Sequence, residues 1–300
     1  MRALLGLSAV PVGLLVASPA LATGVDPACE HLADLKPADY EEQQQQDFLM
    51  NYYALGASFS GVHAPIPHEA GRGMIGVRLG GLMPLPCRRR FALDWSKTED
   101  TNKSPVLPTV SASYAFETPW EEVVPYAEVG FLPPVPVAGT RNLVFQAAGG
   151  IGFQVSDSMQ LGVRAHAAVL RTIGDIATPI AEGDPVEEDL FLGSTLGIQA
   201  LAGVEATEWM TPYVMVGLLD ASTFFYIGDS GVVTNNLHPY LGPEYAIGAD
   251  MLLVDERLRV GAEYYGAPGG SRTLGDANSN FGFAGYGRIH TVRIRVGVEL

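Results

Sequence analysis

Apolar and polar side chains alternate with a period of two along most of the chain, from about residue 50 to residue 300. In the final stretch Val292, Ile294, Val296, Val298 and Leu300 share one face, and polar or small residues occupy the other. Such alternation is typical of β-strands that have one apolar and one polar face. It predicts about twelve strands, at residues 50–61, 72–82, 88–96, 108–117, 123–132, 142–154, 159–172, 190–204, 211–221, 240–251, 257–267 and 288–300.

The predicted connections between these strands alternate in length. Short ones fall near residues 83–87, 118–122, 155–158, 205–210 and 252–256, and long ones fall near residues 62–71, 97–107, 133–141, 173–189, 222–239 and 268–287. Short turns at one end and long loops at the other are typical of outer-membrane barrels, whose short turns face the periplasm. We therefore predict an all-β fold, a transmembrane antiparallel β-barrel over residues 50–300, because a sheet in lipid must close to pair its backbone groups.

The first 49 residues differ from the rest of the chain. Residues 1–22 combine Arg2, an apolar run and the small-residue pattern Ala20-Leu21-Ala22, which is typical of a cleaved signal peptide. No later stretch is apolar for long enough to predict a membrane-spanning helix. Residues 23–49 are rich in Gln and Glu, and we predict a periplasmic N-terminal segment that is helical or partly ordered.

Charge excludes some partners and indicates a polar interior. The chain has 18 basic and 33 acidic side chains and a net charge of −15, which argues against nucleic acid as a partner. Charged residues on the polar faces of the strands are predicted to line the lumen: Arg72, Arg78, Arg88, Arg90, Asp94, Glu117, Glu128, Arg164, His166, Glu244, Asp250, Arg257, Arg259, Glu263, Arg293 and Arg295. Two interpretations stay open, a transverse field that selects charged solutes and a set of salt bridges that fills the lumen.

The sequence offers little sign of metal or cofactor chemistry. Residues 71–76 match the letters G-x-G-x-x-G, but they open a predicted strand where a dinucleotide site would need a helix. The two cysteines, Cys29 and Cys87, are both placed at the periplasmic end by the predicted topology, so they are candidates for a disulfide in an oxidising compartment. We predict no catalytic residues, no metal and no cofactor.

The signal-like residues 1–22, the alternating ladder over residues 50–300 and the terminal Val292-x-Ile294-x-Val296-x-Val298-x-Leu300 resemble bacterial outer-membrane β-barrel proteins as a class. The last strand is similar to the assembly signal of that class, although the signal often ends in an aromatic residue and this chain ends in Leu300. The resemblance implies a Gram-negative outer-membrane location. It also implies outer-membrane lipid, lipopolysaccharide and the barrel-assembly machinery as partners, and it implies no oligomeric state.

Three functions are compatible with this reading. A passive pore for small polar or charged solutes is favoured, because inward glycines at positions 56, 76, 150, 162 and 261 leave room in the lumen. The alternative is a structural or surface-interaction barrel with a plugged lumen. A lipid-modifying hydrolase comes third, and it would need Ser58 or Ser60 with His63 at the outer surface or rim.

Overall fold

In the computed structural model, ten antiparallel strands close into a ring. The structure describes residues 42–81, 97–98, 106–137, 140–174, 176, 178–179, 188–228, 232–235, 240–253, 257–269 and 288–300. A helix, α1, spans Glu42–Gly56. The barrel strands are β1 Gly73–Gly81, β2 Val106–Ala115, β3 Val123–Val137, β4 Thr140–Ser156, β5 Met159–Gly174, β6 Asp189–Val204, β7 Met210–Ile227, β8 Tyr240–Leu253, β9 Leu258–Ala267 and β10 Ile289–Glu299. The short strands Lys97–Thr98 and Thr178–Pro179 pair with each other, and Val232–Asn235 pairs with the end of β7.

Each barrel strand pairs with the next one along the chain, and β10 pairs with β1. At this seam Met74 lies opposite Glu299, and Leu79 lies opposite Ile294. A closed ring leaves no strand edge with unpaired backbone N–H and C=O groups, which is the condition for a sheet in hydrocarbon. The predicted all-β antiparallel barrel is therefore confirmed.

The outward faces of the strands are apolar, and the inward faces carry most of the buried polar side chains. Along β5, exposed and buried residues alternate at almost every position. Each of the ten strands exposes at least one large apolar side chain; one from each, in strand order, gives Ile75, Val110, Val129, Phe145, Val163, Leu196, Val216, Ile247, Tyr264 and Ile294. The period of two in the sequence thus records an apolar exterior and a polar interior.

The predicted first strand at residues 50–61 is wrong, because residues 42–56 form α1 inside the barrel. The ring is complete with ten strands, so it has no place for this segment. The predicted strand at residues 88–96 lies outside the described residues, and the other ten predicted strands correspond to β1–β10. No helix in the described part of the chain is long and apolar enough to cross a membrane.

Short and long connections alternate as predicted except at two places. The predicted long loop at residues 133–141 is wrong, because β3 continues to Val137 and β4 begins at Thr140, with a register shift between Leu132 and Val135 that accommodates the prolines. The connection between β1 and β2 covers residues 82–105, and it leaves the ring at the end where the long loops lie.

Cys29 and Cys87 both lie outside the described residues, and the disulfide stays a prediction. The connection that contains Cys87, however, joins the barrel at Gly81, next to the start of β2 and opposite the short-turn end. The position of Cys87 in a short periplasmic turn falls on residues outside the described ones and stays a prediction.

Candidate functional site

The lumen of the barrel is filled by the chain itself. We call residues 42–72 the lumen segment: α1 occupies the half of the lumen near the long loops, and residues 57–72 continue from there to the start of β1 at the short-turn end. Its wall contacts follow this order down the lumen: Tyr53 with Phe191, Ser58 with Arg293, Ser60 with Glu263, His63 with Glu128, His68 with Ser113, and Gly71 with Ala115.

The half of the lumen near the long loops contains the main apolar core, with a few buried polar side chains such as Asn51 and Asn142. Tyr53 packs edge-on against Phe191 with ring centroids 5.5 Å apart, and Phe191 packs in the same way against Phe225 at 6.2 Å. Ala54 lies so close to Gly193 that a Cβ on this glycine would be 3.1 Å from the Cβ of Ala54. Helix α1 therefore contacts the wall on several sides, which is why its sequence shows no polar face that would mark a surface helix.

Inward glycines make room for the lumen segment and for wall side chains. A Cβ on Gly162 would lie 3.1 Å from the Cβ of Pro65, and a Cβ on Gly261 would collide with the backbone oxygen of Val62. Gly150 gives its space to the ring of Tyr126, which belongs to the neighbouring strand. The room that these glycines were predicted to leave for a solute is occupied in this structure.

Phe59 lies at the centre of a cationic group. Its ring is fully buried, the Cζ atoms of Arg78 and Arg164 lie 4.8 and 5.1 Å from its centroid, and the ring of His166 stacks on it at 5.6 Å. Guanidinium groups over an aromatic face are attracted by the ring quadrupole, and this attraction strengthens away from water. Phe59 thus holds the lumen segment between β1 and β5.

A hydrogen-bond network crosses the lumen from β5 to β9. Nε of Arg164 donates to Gln199 at 2.7 Å, and Nε2 of Gln199 donates to Glu244 at 2.9 Å. The same carboxylate lies 3.0 Å from Nε2 of His166 and accepts a 2.8 Å hydrogen bond from the hydroxyl of Tyr265. Glu244 is nearly fully buried, and these partners satisfy the hydrogen-bonding needs of its two oxygens.

The remaining acids pair at short range with nearby groups. Glu263 accepts hydrogen bonds from Ser60 and from the hydroxyl of Tyr213, the latter at 2.8 Å. Asp250 lies 3.1 Å from Arg259 and 3.4 Å from Arg295. Acids therefore lie among the arginines of β9 and β10, and this mixing favours the salt-bridge interpretation over a transverse field.

Fourteen of the sixteen charged residues predicted to line the lumen are buried in it, lie at or near its rim, or lie outside the described residues. Nine are buried inside the barrel: Arg78, Glu128, Arg164, His166, Glu244, Asp250, Glu263, Arg293 and Arg295. Arg259 is largely buried between Asp250 and Glu299, while Arg72 is at the short-turn rim beside Glu69 and Glu299. Arg88, Arg90 and Asp94 lie outside the described residues.

Two of the predicted lumen residues, Glu117 and Arg257, are exposed, so the prediction that they line the lumen is wrong. Glu117 lies just beyond the end of β2, and Arg257 immediately precedes β9, so neither side chain is held on an inward strand face. Three further lumen partners are not marked by charge in the sequence: Gln146, which donates to the backbone oxygen of Ala57, Gln199 and Tyr213. Prolines at positions 65 and 67 fit the non-strand path of residues 62–71, but they lie outside the predicted strand 50–61.

The hydrolase candidates lie in the lumen. Ser58, Ser60 and His63 are each at most 4% exposed, and they bind wall residues. A lipid-modifying site would need these groups at the outer surface or rim, so the structure does not provide the predicted arrangement. Within the described ranges, no group of three or more His, Cys, Asp or Glu side chains is arranged to hold a metal ion.

No protein-family model and no curated protein matches the chain. Among solved structures, it is similar to the translocator domain of the autotransporter NalP from Neisseria meningitidis, with 12% identity, 77% of this chain and 88% of that chain covered, and a TM-score of 0.40. It is also similar to the toluene transporter TodX of Pseudomonas putida, with 10% identity, coverages of 86% and 76%, and a TM-score of 0.37. For LpxR from Salmonella typhimurium the identity is 7%, the coverages are 76% and 99%, and the TM-score is 0.29.

These neighbours are outer-membrane β-barrels of Gram-negative bacteria, the class that the sequence resembles. At such identities and TM-scores the likeness concerns the general barrel architecture only. What the chain does has to be argued from its own lumen and surface.

Proposed function

We propose that the chain spans the bacterial outer membrane as a ten-stranded barrel and is a passive pore for small polar or charged solutes, closed by its own lumen segment. The observation that carries the membrane location is the ring of exposed apolar side chains on all ten strands of a closed sheet. Such a belt is favourable in hydrocarbon and unfavourable in water. Outer-membrane lipid and lipopolysaccharide are the surroundings that fit it, with the barrel-assembly machinery as the insertion partner.

The inner dimension of the barrel supports a pore once the lumen segment moves. Ten strands about 4.8 Å apart and tilted by about 40° give a backbone radius of roughly 10 Å. After allowance for the wall side chains, the space inside is about as wide as one α-helix. Passage therefore requires residues 42–72 to leave or rearrange.

The polar contacts of residues 57–72 make such a movement physically reasonable. Ser60, His63 and His68 bind wall side chains by hydrogen bonds and ion pairs, and water can replace these when the segment withdraws. The wall that remains carries arginines, histidines and carboxylates in near balance, and such a wall tolerates water.

A second candidate, a structural barrel that is plugged permanently, is favoured by the other half of the lumen. There, α1 packs into an apolar core with Phe191, Phe225 and Leu219, and withdrawing it would expose these residues. The two candidates differ in whether the lumen segment moves.

Conductance of the refolded full-length mature chain in planar bilayers separates the two. We expect brief, infrequent openings in the wild type and more frequent ones in Phe59→Ala/His63→Ala, which removes two central anchors of the segment. Arg141→Ala, which removes an exposed ion pair with Glu188, is the matched control and should behave as wild type. Silence of all three over a range of salts and voltages, with the heat-dependent mobility shift of a folded barrel intact, would leave the plugged barrel as the answer.

A further inference from the structure

Three buried arginines lie side by side at one level of the lumen wall. Arg78 of β1 lies directly opposite Arg295 of β10, and Arg293 lies two residues further along β10, opposite Gly80. The three residues are 4%, 1% and 5% exposed. Like charges opposite each other in a sheet repel, and burial strengthens the repulsion unless counter-charges are close.

The counter-charges near Arg78 and Arg295 are shared with other groups. Asp250 lies 3.4 Å from Arg295, but it also lies 3.1 Å from Arg259. Glu128 lies 4.0 Å from Arg78, and its other oxygen binds His63. Each of these carboxylates therefore neutralises only part of the charge of the arginine beside it.

Arg293 has a weaker set of partners. Its Nη2 lies 3.0 Å from Oγ of Ser58 and 3.5 Å from the backbone oxygen of Leu55, and its Cζ is 3.7 Å from the centroid of the Tyr265 ring. In the part of the chain that the structure describes, no carboxylate lies within ion-pair distance of this guanidinium. Glu263 of β9 is the cross-strand neighbour of Arg293, but its two oxygens accept hydrogen bonds from Ser60 and Tyr213. A buried cation without a directly bound anion is costly, so the site favours a negative ligand.

A small cavity adjoins two of these arginines. It has a volume of about 30 Å³ and lies between residues 56–62 and the wall, where Arg78, Arg293, Thr109 and Gln146 line it. Nε and Nη2 of Arg78 and Nη1 of Arg293 are buried and have no hydrogen-bond partner among the described residues. The lining thus provides charged N–H donors in a space that is about the size of one or two water molecules.

We propose that this cavity binds a small inorganic anion of the halide class, with chloride as the physiological candidate. The guanidinium groups of Arg78 and Arg293 donate to the anion, and its charge balances the arginine cluster. A cavity of about 30 Å³ suits a single monatomic anion. The proposal rests on the closed barrel and its lumen segment, and it holds whether or not the lumen conducts.

The test uses the purified full-length mature protein in detergent. Its thermal unfolding midpoint is followed while gluconate is replaced stepwise by chloride or bromide, at constant sodium concentration and ionic strength. We expect a rise that saturates, as binding to one folded-state site requires. Arg293→Gln should remove the rise, and the control Arg141→Gln should keep it. The proposal would be overturned if the unfolding midpoint of the wild type did not change with halide, or if the midpoint of Arg293→Gln rose by the same amount.

A second measurement needs no variant, in case Arg293→Gln fails to fold. Crystals of the wild type grown in bromide should show an anomalous peak between Arg78 and Arg293. A map without a peak there would refute the site. Peaks confined to exposed arginines such as Arg141 would mean an adventitious ion only, and they would refute it as well.

Discussion

Ala54 and Gly193 offer a place to lock the lumen segment to the barrel wall. A Cβ on Gly193 would lie 3.1 Å from the Cβ of Ala54. Disulfides have Cβ–Cβ distances of about 3.5–4.5 Å, so a shift of a few tenths of an ångström at the end of α1 would allow the bond. We expect Ala54→Cys/Gly193→Cys, made in a background where Cys29 and Cys87 are serine, to form this cross-link on oxidation.

The size of the effect follows from the loop that the bond closes. Residues 54 and 193 enclose about 140 residues of chain, and closing such a loop in the unfolded state is worth about 5 kcal/mol in the chain-entropy estimate. The oxidised protein should therefore unfold at a clearly higher temperature than the reduced one. The bond joins α1 to β6, and the helix cannot leave the lumen while it is intact.

The assay is single-channel recording of the oxidised double variant before and after addition of a reductant. The oxidised form should show no openings, and the reductant should restore those of the wild type. Each single-cysteine variant is a control, since it carries one of the two substitutions and cannot form the bond. If the oxidised and reduced forms conduct equally, solutes pass without displacing α1 and the gating argument fails. If no cross-link forms, the packing of Ala54 on Gly193 is refuted.

Three further predictions concern the core, the exterior and the topology. Phe59→Ala should destabilise the folded barrel by about 3–5 kcal/mol, measured by chemical unfolding in detergent, because it leaves a cavity between two guanidinium groups. Val216→Arg places a charge on the outward face near the middle of β7 and should make the free energy of folding into lipid vesicles less favourable by about 2–4 kcal/mol. The same folding free energy in the variant and the wild type would argue against membrane embedding. An epitope inserted before Glu42 should be accessible to antibody on intact cells, like one in the long β9–β10 connection and unlike one in the β4–β5 turn, because α1 enters the lumen from the long-loop end. This result would contradict the periplasmic position that the sequence predicts for residues 23–49.

The strands could be predicted because their outward faces meet one kind of environment. Residues such as Val163 and Val216 are exposed on every second position, and that alternation is written in the sequence without reference to any partner. The sequence could not reveal where β3 ends, because the prolines at positions 133, 134 and 136 are typical of loops. The register shift next to Leu132 lets them continue the strand.

The same alternation could not predict the lumen segment. Ala54, Leu55 and Phe59 are enclosed by the barrel, so no polar face distinguishes the helix from a strand. Counting part of this segment as a strand also gave no sign that Ser58 and His63 lie inside the lumen. Pairs such as Ser60 with Glu263 join residues 203 positions apart. They depend on register and on the path of the segment, and neither is visible in local spacing.

The contacts in the two halves of the lumen determine the order in which they would break if the lumen segment withdrew. Residues 57–72 are held by Phe59 and by polar contacts that water can replace, while α1 is held mainly by apolar contacts that water cannot replace. The covalent chain links the two, and β1 fixes the far end of residues 57–72 at the short-turn side. In the proposed pore, the segment would withdraw only toward the long loops, and α1 would have to detach from Phe191 and Gly193 before the polar half could become hydrated. The apolar contacts of α1, more than the buried charges, should set the barrier to opening.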